Sequence, residues 1–331
     1  MCPKYRTFAI AALLLLAHSW GTTATALVPE DQHPVTVDDL RRAFYDYDRA
    51  LPLNAELKQL PDANSAEAAL RTRWHLVYDS AHDQRVTAIF TLPRKFAPPY
   101  PAVILLAGSG GHKDSDYVRF AAEMMSTLGY ATLSIDAQYH GERARPNRSD
   151  DVHDMASPTV RDAWVQTVID LRRAVDYLQS RPDIDAAHIG YLGFSQGGIL
   201  GGVFIGVEPR ISCACLAIPG GGFVAWAKAL GYYTRLNSRA IEVTAAIIDP
   251  VNFIGNFAPR PLLILSARKD ELIPKFATEA LYNAARNPKT IIWYDSGHVL
   301  PLKALLVDAR AFFLQHLGHR RPLPNSQGAT H

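Results

Sequence analysis

The chain has 331 residues, 48% of them hydrophobic, which suffices for one large packed domain or two ordinary ones. Lysine and arginine number 34 against 32 aspartates and glutamates, so the formal charge is only +2. Because this balance includes no basic stripe or acidic tail, it argues against nucleic acid as a partner.

The first 26 residues have the composition of a secretory signal peptide. Lys4 and Arg6 precede an apolar run from Phe8 to Ala17, and Ala24-Thr25-Ala26 supplies the small residues of a cleavage site. A membrane anchor is the alternative, but the run is about half of the roughly 20 residues that span a bilayer. We therefore expect an exported protein, periplasmic or extracellular, with no stable membrane insertion after signal removal.

The rest of the chain is predicted to hold one catalytic domain with short additions at both ends. Residues 27–70 are polar and helix-prone, and we expect a helical extension that packs on the body. Residues 71–320 form the predicted catalytic domain, which is followed by a flexible tail over residues 321–331. Trp74–Tyr78 and Val86–Leu92 predict an opening antiparallel strand pair, since few residues separate them.

Beyond this pair, buried strand patterns alternate with helical ones. Strands are predicted at Pro101–Ala107, Tyr130–Ile135, His188–Phe194, Ile211–Ile218, Pro261–Ser266 and Thr290–Tyr294. Helices are predicted at Tyr117–Leu128, Thr159–Leu178, Ser195–Phe204 and Val299–His316. This alternation predicts an α/β fold with a mostly parallel sheet of about eight strands and helices on both faces, with functional residues at the carboxyl ends of the strands.

Residues 223–257 interrupt the alternation with a mostly helical pattern, and we expect them to form a small helical lid over the site.

Cys213 and Cys215 lie two apart in a predicted strand, so both thiols point to one face and are too constrained to form a disulfide. We expect two buried free thiols and no metal site, because further ligands are not evident nearby.

The pentapeptide Gly193-Phe194-Ser195-Gln196-Gly197 matches the Gly-x-Ser-x-Gly turn that exposes a nucleophilic serine between a strand and a helix. Its position after the strand His188–Phe194 and before a glycine-rich helix gives the match its specificity. The alternative is an ordinary glycine-rich connection with an incidental serine. We predict that Ser195 is a catalytic nucleophile.

A serine hydroxyl needs a base to take its proton and an acid to orient that base. Asp270 follows one late strand and His298 follows the next, so Ser195, Asp270 and His298 occur in the order Ser, Asp, His. A solvated turn aspartate and a surface histidine are the alternatives, and Glu271 is the nearest competitor for the acid. His140 is a weaker candidate for the base because it precedes the serine.

The oxyanion of an acyl-transfer intermediate needs backbone N–H donors. Gln196, the residue after the nucleophile, and Ser109, in Gly108-Ser109-Gly110-Gly111, are the predicted donors. A phosphate-binding loop is the alternative for the second segment, although no Lys-Ser/Thr pair follows it. Asp136–Arg143 carries mixed charges after a strand, and we expect it to form a hydrogen-bonded turn beside the site.

With these motifs, the chain resembles the α/β-hydrolase superfamily, and within it the dienelactone-hydrolase-like and prolyl-oligopeptidase-like serine esterases. The resemblance covers roughly residues 72–318 and rests on Leu106–Gly111, Asp136–Arg143, Gly193–Gly198, Asp249-Pro250, Ala258–Leu262, Asp270 and Gly297-His298. It implies hydrolysis of carboxylic esters through an acyl-enzyme, without a cofactor. Two departures stand out: Ala107 replaces the histidine of many relatives, and Ser195 replaces the cysteine of dienelactone hydrolases proper.

The function that we expect is therefore hydrolysis of a small-molecule ester. A peptidase acting on short peptides is the alternative within hydrolases, although no large N-terminal propeller precedes the domain. A catalytically silent hydrolase fold that serves as a binding protein is the alternative from another class. Turnover of esters against amides, and labelling by a fluorophosphonate, distinguish the three.

Overall fold

The computed structural model describes residues 36–147 and 154–318. The predicted signal peptide and the predicted C-terminal tail lie outside these residues. In the described part of the chain, no helix combines the length and apolarity needed to cross a bilayer.

The described residues form a nine-stranded sheet with helices around it. The strands are β1 (Glu56–Gln59), β2 (Arg71–Asp79), β3 (Arg85–Pro93), β4 (Tyr100–Leu106), β5 (Ala131–Ile135), β6 (Ile184–Phe194), β7 (Cys213–Ala217), β8 (Leu262–Ala267) and β9 (Lys289–Tyr294). The helices are α1 (Val37–Leu40), α2 (Ser65–Leu70), α3 (Asp116–Thr127), α4 (Pro158–Gln179), α5 (Gln196–Val207), α6 (Phe223–Ala229), α7 (Ser238–Ile248), α8 (Lys275–Ala284) and α9 (Leu302–Leu317).

The strand order is β1-β2-β3-β5-β4-β6-β7-β8-β9. The first three strands pair antiparallel, as do β3 and β5, and every later pairing is parallel. Strands β4, β5, β7 and β8 are buried along their whole length, as expected when helices cover both faces of a parallel sheet. The predicted α/β fold is confirmed, and its carboxyl-edge loops include those after β4, β6, β8 and β9.

Of the predicted helical extension, residues 27–70, the structure describes residues 36–70, and these are helical only in part. They contain α1, a π-helical turn over Arg41–Tyr45, the edge strand β1 and α2, and β1 brings the sheet to nine strands instead of about eight. All four residues of β1 are exposed, so the strand carries no hydrophobic alternation. The extension packs on the body through Tyr45, which is fully buried and donates a hydrogen bond to the Ile247 carbonyl at 2.8 Å.

The last helix starts later than the sequence predicts. Helix α9 begins at Leu302 and not at Val299, because Pro301 disfavours helical backbone at the residue before it.

Cys213 and Cys215 are free and buried in β7, as predicted. Burial raises the pKa of both thiols, so both stay protonated at neutral pH.

Candidate active site

Ser195 lies at a sharp turn between β6 and α5. Its φ of 51° and ψ of −115° are unusual for a residue other than glycine, and its N–H donates to the Ala217 carbonyl at 2.8 Å. Strain of this kind persists only where the surrounding structure enforces it, and it concentrates at functional sites.

Glycines on both sides of Ser195 make this turn sterically feasible. A Cβ placed on Gly193 would lie 2.2 Å from the Gly197 carbonyl oxygen. A Cβ on Gly197 would lie 2.4 Å from the carbonyl oxygen of Leu106 in β4. Both separations are shorter than any real contact, so the motif's glycines are required by packing and not only by turn geometry.

The structure brings Ser195, His298 and Asp270 together in one hydrogen-bonded chain. Ser195 Oγ is 3.0 Å from His298 Nε2, and His298 Nδ1 is 2.9 Å and 3.0 Å from the two oxygens of Asp270. Residues 195, 270 and 298 follow the ends of β6, β8 and β9, so the parallel sheet is what places them at the same edge. The arrangement has the connectivity of a nucleophile, a base and an orienting acid.

The environment of Asp270 keeps its carboxylate charged. The side chain is 1% exposed, and this burial raises its pKa, but hydrogen bonds outweigh the desolvation. His298 and the N–H groups of Ile273 (2.9 Å) and Leu272 (2.8 Å) all hydrogen-bond to the carboxylate. The net result is an Asp270 pKa below its usual value, so the acid is ionised wherever the protein is folded near neutral pH.

Of the two competitors named from the sequence, Glu271 lies against Gly297, next to His298, and His140 lies in the turn after β5. Glu271 is exposed, and the carboxylate that contacts His298 is that of Asp270. His140 is buried in the turn after β5, where its Nδ1 is 3.0 Å from the Gln138 carbonyl oxygen. Neither residue lines the cavity beside Ser195.

The predicted oxyanion donors flank Ser195. Gln196 is buried and opens α5, and Ser109 lies in the exposed loop after β4, where it lines a cavity together with Ser195. A Cβ placed on Gly108 would lie 3.0 Å from Ser195 Cβ, so this loop passes directly against the nucleophile. This close approach is the placement that a second backbone donor requires.

Tyr117 holds that loop, a contact that the sequence analysis missed. Its hydroxyl oxygen accepts a hydrogen bond from the Gly108 N–H at 3.0 Å, and its ring packs edge-on against Phe194 with centroids 5.1 Å apart. Ala107 has no hydrogen-bonding side chain at the position where many relatives have histidine, so the hydrogen bond to the loop comes from a tyrosine on α3. No local sequence signal links residue 117 to residue 108.

The segment Asp136–Arg143 forms the hydrogen-bonded turn that was expected. Asp136 is fully buried and accepts from Lys113 Nζ at 2.5 Å, from Lys113 N at 2.9 Å and from Thr87 Oγ1 at 2.7 Å. Glu142 adds a second carboxylate 2.7 Å from Lys113 Nζ. The pairing anchors the loop that carries Ser109 to the end of β5, and Lys113 is the second residue of the site that sequence analysis missed.

A cavity of about 310 Å³ opens beside Ser195 and His298. Most of its wall is apolar and comes from Phe194, Ile218, Val299, Leu300, Leu302 and Leu305. The expected lid segment 223–257 is helical, as predicted, through α6, α7 and two short 3-10 turns. The described residues that line the cavity come from other segments, and the stretch after His298 supplies Val299, Leu300, Leu302 and Leu305. That residues 223–257 form a lid over the site stays a prediction.

Within the described ranges, no group of three or more histidine, cysteine, aspartate or glutamate side chains is arranged to hold a metal ion.

The fold and this site define the class of protein: a carboxylic ester hydrolase with an α/β-hydrolase fold. The model of the acetyl xylan esterase family, AXE1, matches residues 42–220, and the chain belongs to that family.

Two curated relatives are similar to the chain. The putative hydrolase YtaP of Bacillus subtilis is 29% identical over 216 residues, which cover 60% of this chain and 70% of the relative. The acetyl esterase Axe7A of Xylanibacter ruminicola is 24% identical over 303 residues, which cover 81% of this chain and 64% of the relative.

Solved structures with the same fold include two acetyl xylan esterases. The enzyme from Paenibacillus sp. R4 has a TM-score of 0.67 at 20% identity, covering 85% of this chain and 92% of that one. Acetyl xylan esterase 1 from Thermoanaerobacterium sp. JW/SL YS485 has a TM-score of 0.69 at 18% identity, covering 84% and 93%. At these identities the likeness establishes the fold.

Proposed function

We propose that this protein is an exported serine esterase that cleaves carboxylic esters through an acyl-enzyme intermediate. The observation that carries the proposal is the continuous chain from Ser195 Oγ to His298 Nε2 and from His298 Nδ1 to Asp270. Export rests on the composition of residues 1–26 alone.

The first half of the reaction forms the acyl-enzyme. Ser195 Oγ attacks the ester carbonyl carbon while its proton passes to His298 Nε2, and the carbonyl π electrons move onto oxygen. Asp270 holds His298 with Nδ1 protonated, so that Nε2 is free to accept, and then stabilises the imidazolium. The bond to the alcohol oxygen breaks as His298 returns the proton to it, and the alcohol leaves.

The second half uses the same groups with water as the nucleophile. His298 takes a proton from water, the hydroxide oxygen bonds to the acyl carbon, and Ser195 leaves with the proton that His298 gives back. In both halves the oxyanion is stabilised by the backbone N–H groups of Ser109 and Gln196, a contribution worth about 2.7 to 4 kcal/mol per donor in enzymes of this type.

The proposal is tested with the full chain, an aryl acetate and a fluorophosphonate probe. Acetate esters are the first choice because the relative Axe7A is an acetyl esterase. We expect Ser195→Ala to lose labelling and to lower kcat by several orders of magnitude. Retention of full turnover by Ser195→Ala would refute the assignment, and turnover of an aminoacyl amide in preference to the ester would favour a peptidase instead.

The exported location needs a separate measurement. Expression of the full chain in a Gram-negative host, followed by fractionation and N-terminal sequencing, should yield a protein outside the cytoplasm that begins after Ala26. An uncleaved protein retained with the cytoplasm would contradict export without affecting the esterase proposal.

A further inference from the structure

The cavity beside Ser195 is lined mostly by apolar side chains. Its apolar wall runs from Phe194 and Ile218 to Leu305, and it includes three of the residues directly after His298. Leu300 and Leu305 are buried, which fixes the base of this wall, whereas Val299 is 87% exposed. An apolar side chain exposed to this degree beside a reactive histidine gains burial only when a ligand covers it.

The cavity lining offers few polar side chains. Ser195 and His298 hydrogen-bond to each other, the Tyr117 hydroxyl oxygen accepts from the Gly108 N–H, and Ser109 is the remaining polar side chain. The lining contributed by residues that the structure describes includes no aspartate, glutamate, lysine or arginine. A sugar ring placed here would lose the hydration of its hydroxyls without gaining hydrogen-bond partners for them, which disfavours its binding.

The size of the cavity also exceeds what an acetyl group fills. A volume of about 310 Å³ lies at the lower end of the range for drug-sized ligand sites, roughly 300 to 1,000 Å³. An acetyl methyl would leave most of the apolar wall in contact with solvent.

We infer that this esterase selects substrates that carry an apolar group larger than methyl next to the scissile bond. The inference rests on the proposed function and names its substrate class. Each methylene that enters the cavity contributes about 0.8 kcal/mol of burial, which is roughly a fourfold gain in kcat/KM. The apolar group belongs either to the acyl chain or to the alcohol, and these two sources share the same chemistry at the wall.

Two substrate series and one sugar ester distinguish an acyl preference, an alcohol preference and a sugar preference. The acyl series is acetate, butanoate, hexanoate and octanoate with one constant aryl alcohol. The alcohol series is the acetate esters of ethanol, butanol and hexanol, measured by the release of acetic acid, and the sugar ester is acetylated xylobiose. We expect kcat/KM to rise by roughly fourfold per methylene in the acyl or the alcohol series until the cavity is full, and acetylated xylobiose to be the poorer substrate.

A variant that fills the cavity ties the selectivity to this wall. Leu302 lines the cavity at the start of α9, and we expect Leu302→Trp to lower the ratio of hexanoate to acetate turnover by about tenfold or more, or the corresponding hexyl to ethyl ratio. Val307→Trp is the matched control, because Val307 lies on the same helix, is 59% exposed and is not among the lining residues. The control should keep the wild-type ratio, and thermal unfolding should show that both variants are folded.

The outcomes separate this inference from the proposed function. A kcat/KM that is flat or falls with chain length in both series, or a preference for acetylated xylobiose, would overturn the inference while Ser195→Ala still abolished turnover. An unchanged ratio in a folded Leu302→Trp would also overturn it. Loss of the proposed function would show instead as turnover that survives Ser195→Ala with every substrate.

Discussion

The Tyr117 hydroxyl accepts a hydrogen bond from the Gly108 N–H at 3.0 Å, and this contact links α3 to the loop that carries one predicted oxyanion donor. The same ring packs against Phe194, the residue before Ser195. One side chain therefore contacts both the loop and the nucleophile turn. Burial raises the pKa of the Tyr117 hydroxyl, which keeps it protonated at neutral pH.

We expect Tyr117→Phe to lower kcat by about tenfold with little change in KM. The ring that lines the cavity is kept, but the Gly108 N–H loses its acceptor. The loop that carries Ser109 is then no longer fixed relative to Ser195. The loss should be smaller than the 10² to 10³ that follows removal of an oxyanion donor itself. Steady-state kinetics and the rate of fluorophosphonate labelling measure it.

Tyr47→Phe provides the control for loss of a tyrosine hydrogen bond away from the site, since its hydroxyl donates to Asp176 at 2.7 Å. Its kcat should match that of the wild type. A Tyr117→Phe enzyme with wild-type kcat, or one that changes only in KM, would contradict a positioning role.

The positions of Ser195, Asp270 and His298 can be predicted because each follows a strand with a clear apolar pattern, and parallel strands end at one edge. Chain order and strand ends together carry the prediction. By contrast, the sequence presents Tyr117 only as the first residue of an amphipathic helix. Its contact with Gly108 depends on how α3 docks, which periodicity does not encode.

The observed fold differs from the sequence prediction for the same reason: a sequence pattern reports burial along an element and not how that element docks. β1 escapes detection because an exposed edge strand needs no hydrophobic alternation, and its pairing with β2 is made by backbone groups. The helical pattern of residues 223–257 predicts their secondary structure but does not specify where they dock. The segment after His298, which lines the cavity, has a helical sequence pattern from Val299 onward. Pro301 within this segment is nevertheless a signal for a helix boundary.

Asp270→Asn should lower kcat by roughly three to four orders of magnitude. The uncharged amide neither holds His298 in the tautomer with Nδ1 protonated nor stabilises the imidazolium. The folded protein should remain, because the Asn side-chain oxygen still accepts from the N–H groups of Leu272 and Ile273. The measurement is kcat against an aryl ester. Glu271→Gln is the neighbouring control, and its kcat should be close to that of the wild type.

The same carboxylate predicts a pH dependence of stability. Because the folded pKa of Asp270 is lowered, the charged form stabilises the fold above the unfolded-state pKa, about 3.9. That contribution is lost as the pH falls through the lower folded-state pKa. The difference in unfolding free energy between wild type and Asp270→Asn should therefore be constant near neutral pH and shrink below about pH 4. Urea titrations across this range test it, and a difference that grew in acid would contradict the assignment.

Gly197→Ala should destabilise the protein by about 3 kcal/mol or more and abolish labelling of Ser195. The new Cβ would lie 2.4 Å and 2.6 Å from the carbonyl oxygens of Leu106, the last residue of β4, and Ala107, the residue after it, and this backbone cannot yield without disturbing the sheet. Gly231→Ala is the control: its φ of 76° is strained for alanine, but no atom lies within 4 Å of the added Cβ. It should cost about 1 to 2 kcal/mol and leave labelling intact. Equal losses in the two variants would show that packing around Gly197 is not the cause.

The buried pair of Lys113 and Asp136 should respond asymmetrically to the removal of either partner. Their side chains are 6% and 0% exposed, and removing one charge from such a pair costs about 3 to 5 kcal/mol because the other stays buried. Lys113 keeps Glu142 at 2.7 Å as a second carboxylate, whereas Asp136 keeps the neutral donors Thr87 and backbone N–H groups without the lysine charge. We therefore expect Lys113→Met to be more destabilising than Asp136→Asn.

The double variant Lys113→Met/Asp136→Asn completes a thermodynamic cycle for this pair. It removes both charges, so its unfolding free energy should be higher than the sum of the single losses predicts, by about 1 to 3 kcal/mol. Urea denaturation of the four proteins measures the cycle. Strict additivity would mean that the two side chains do not interact energetically. The loop that carries Ser109 would then be held by the Tyr117 hydroxyl and by the Lys113 backbone N–H on Asp136, and not by the buried charge.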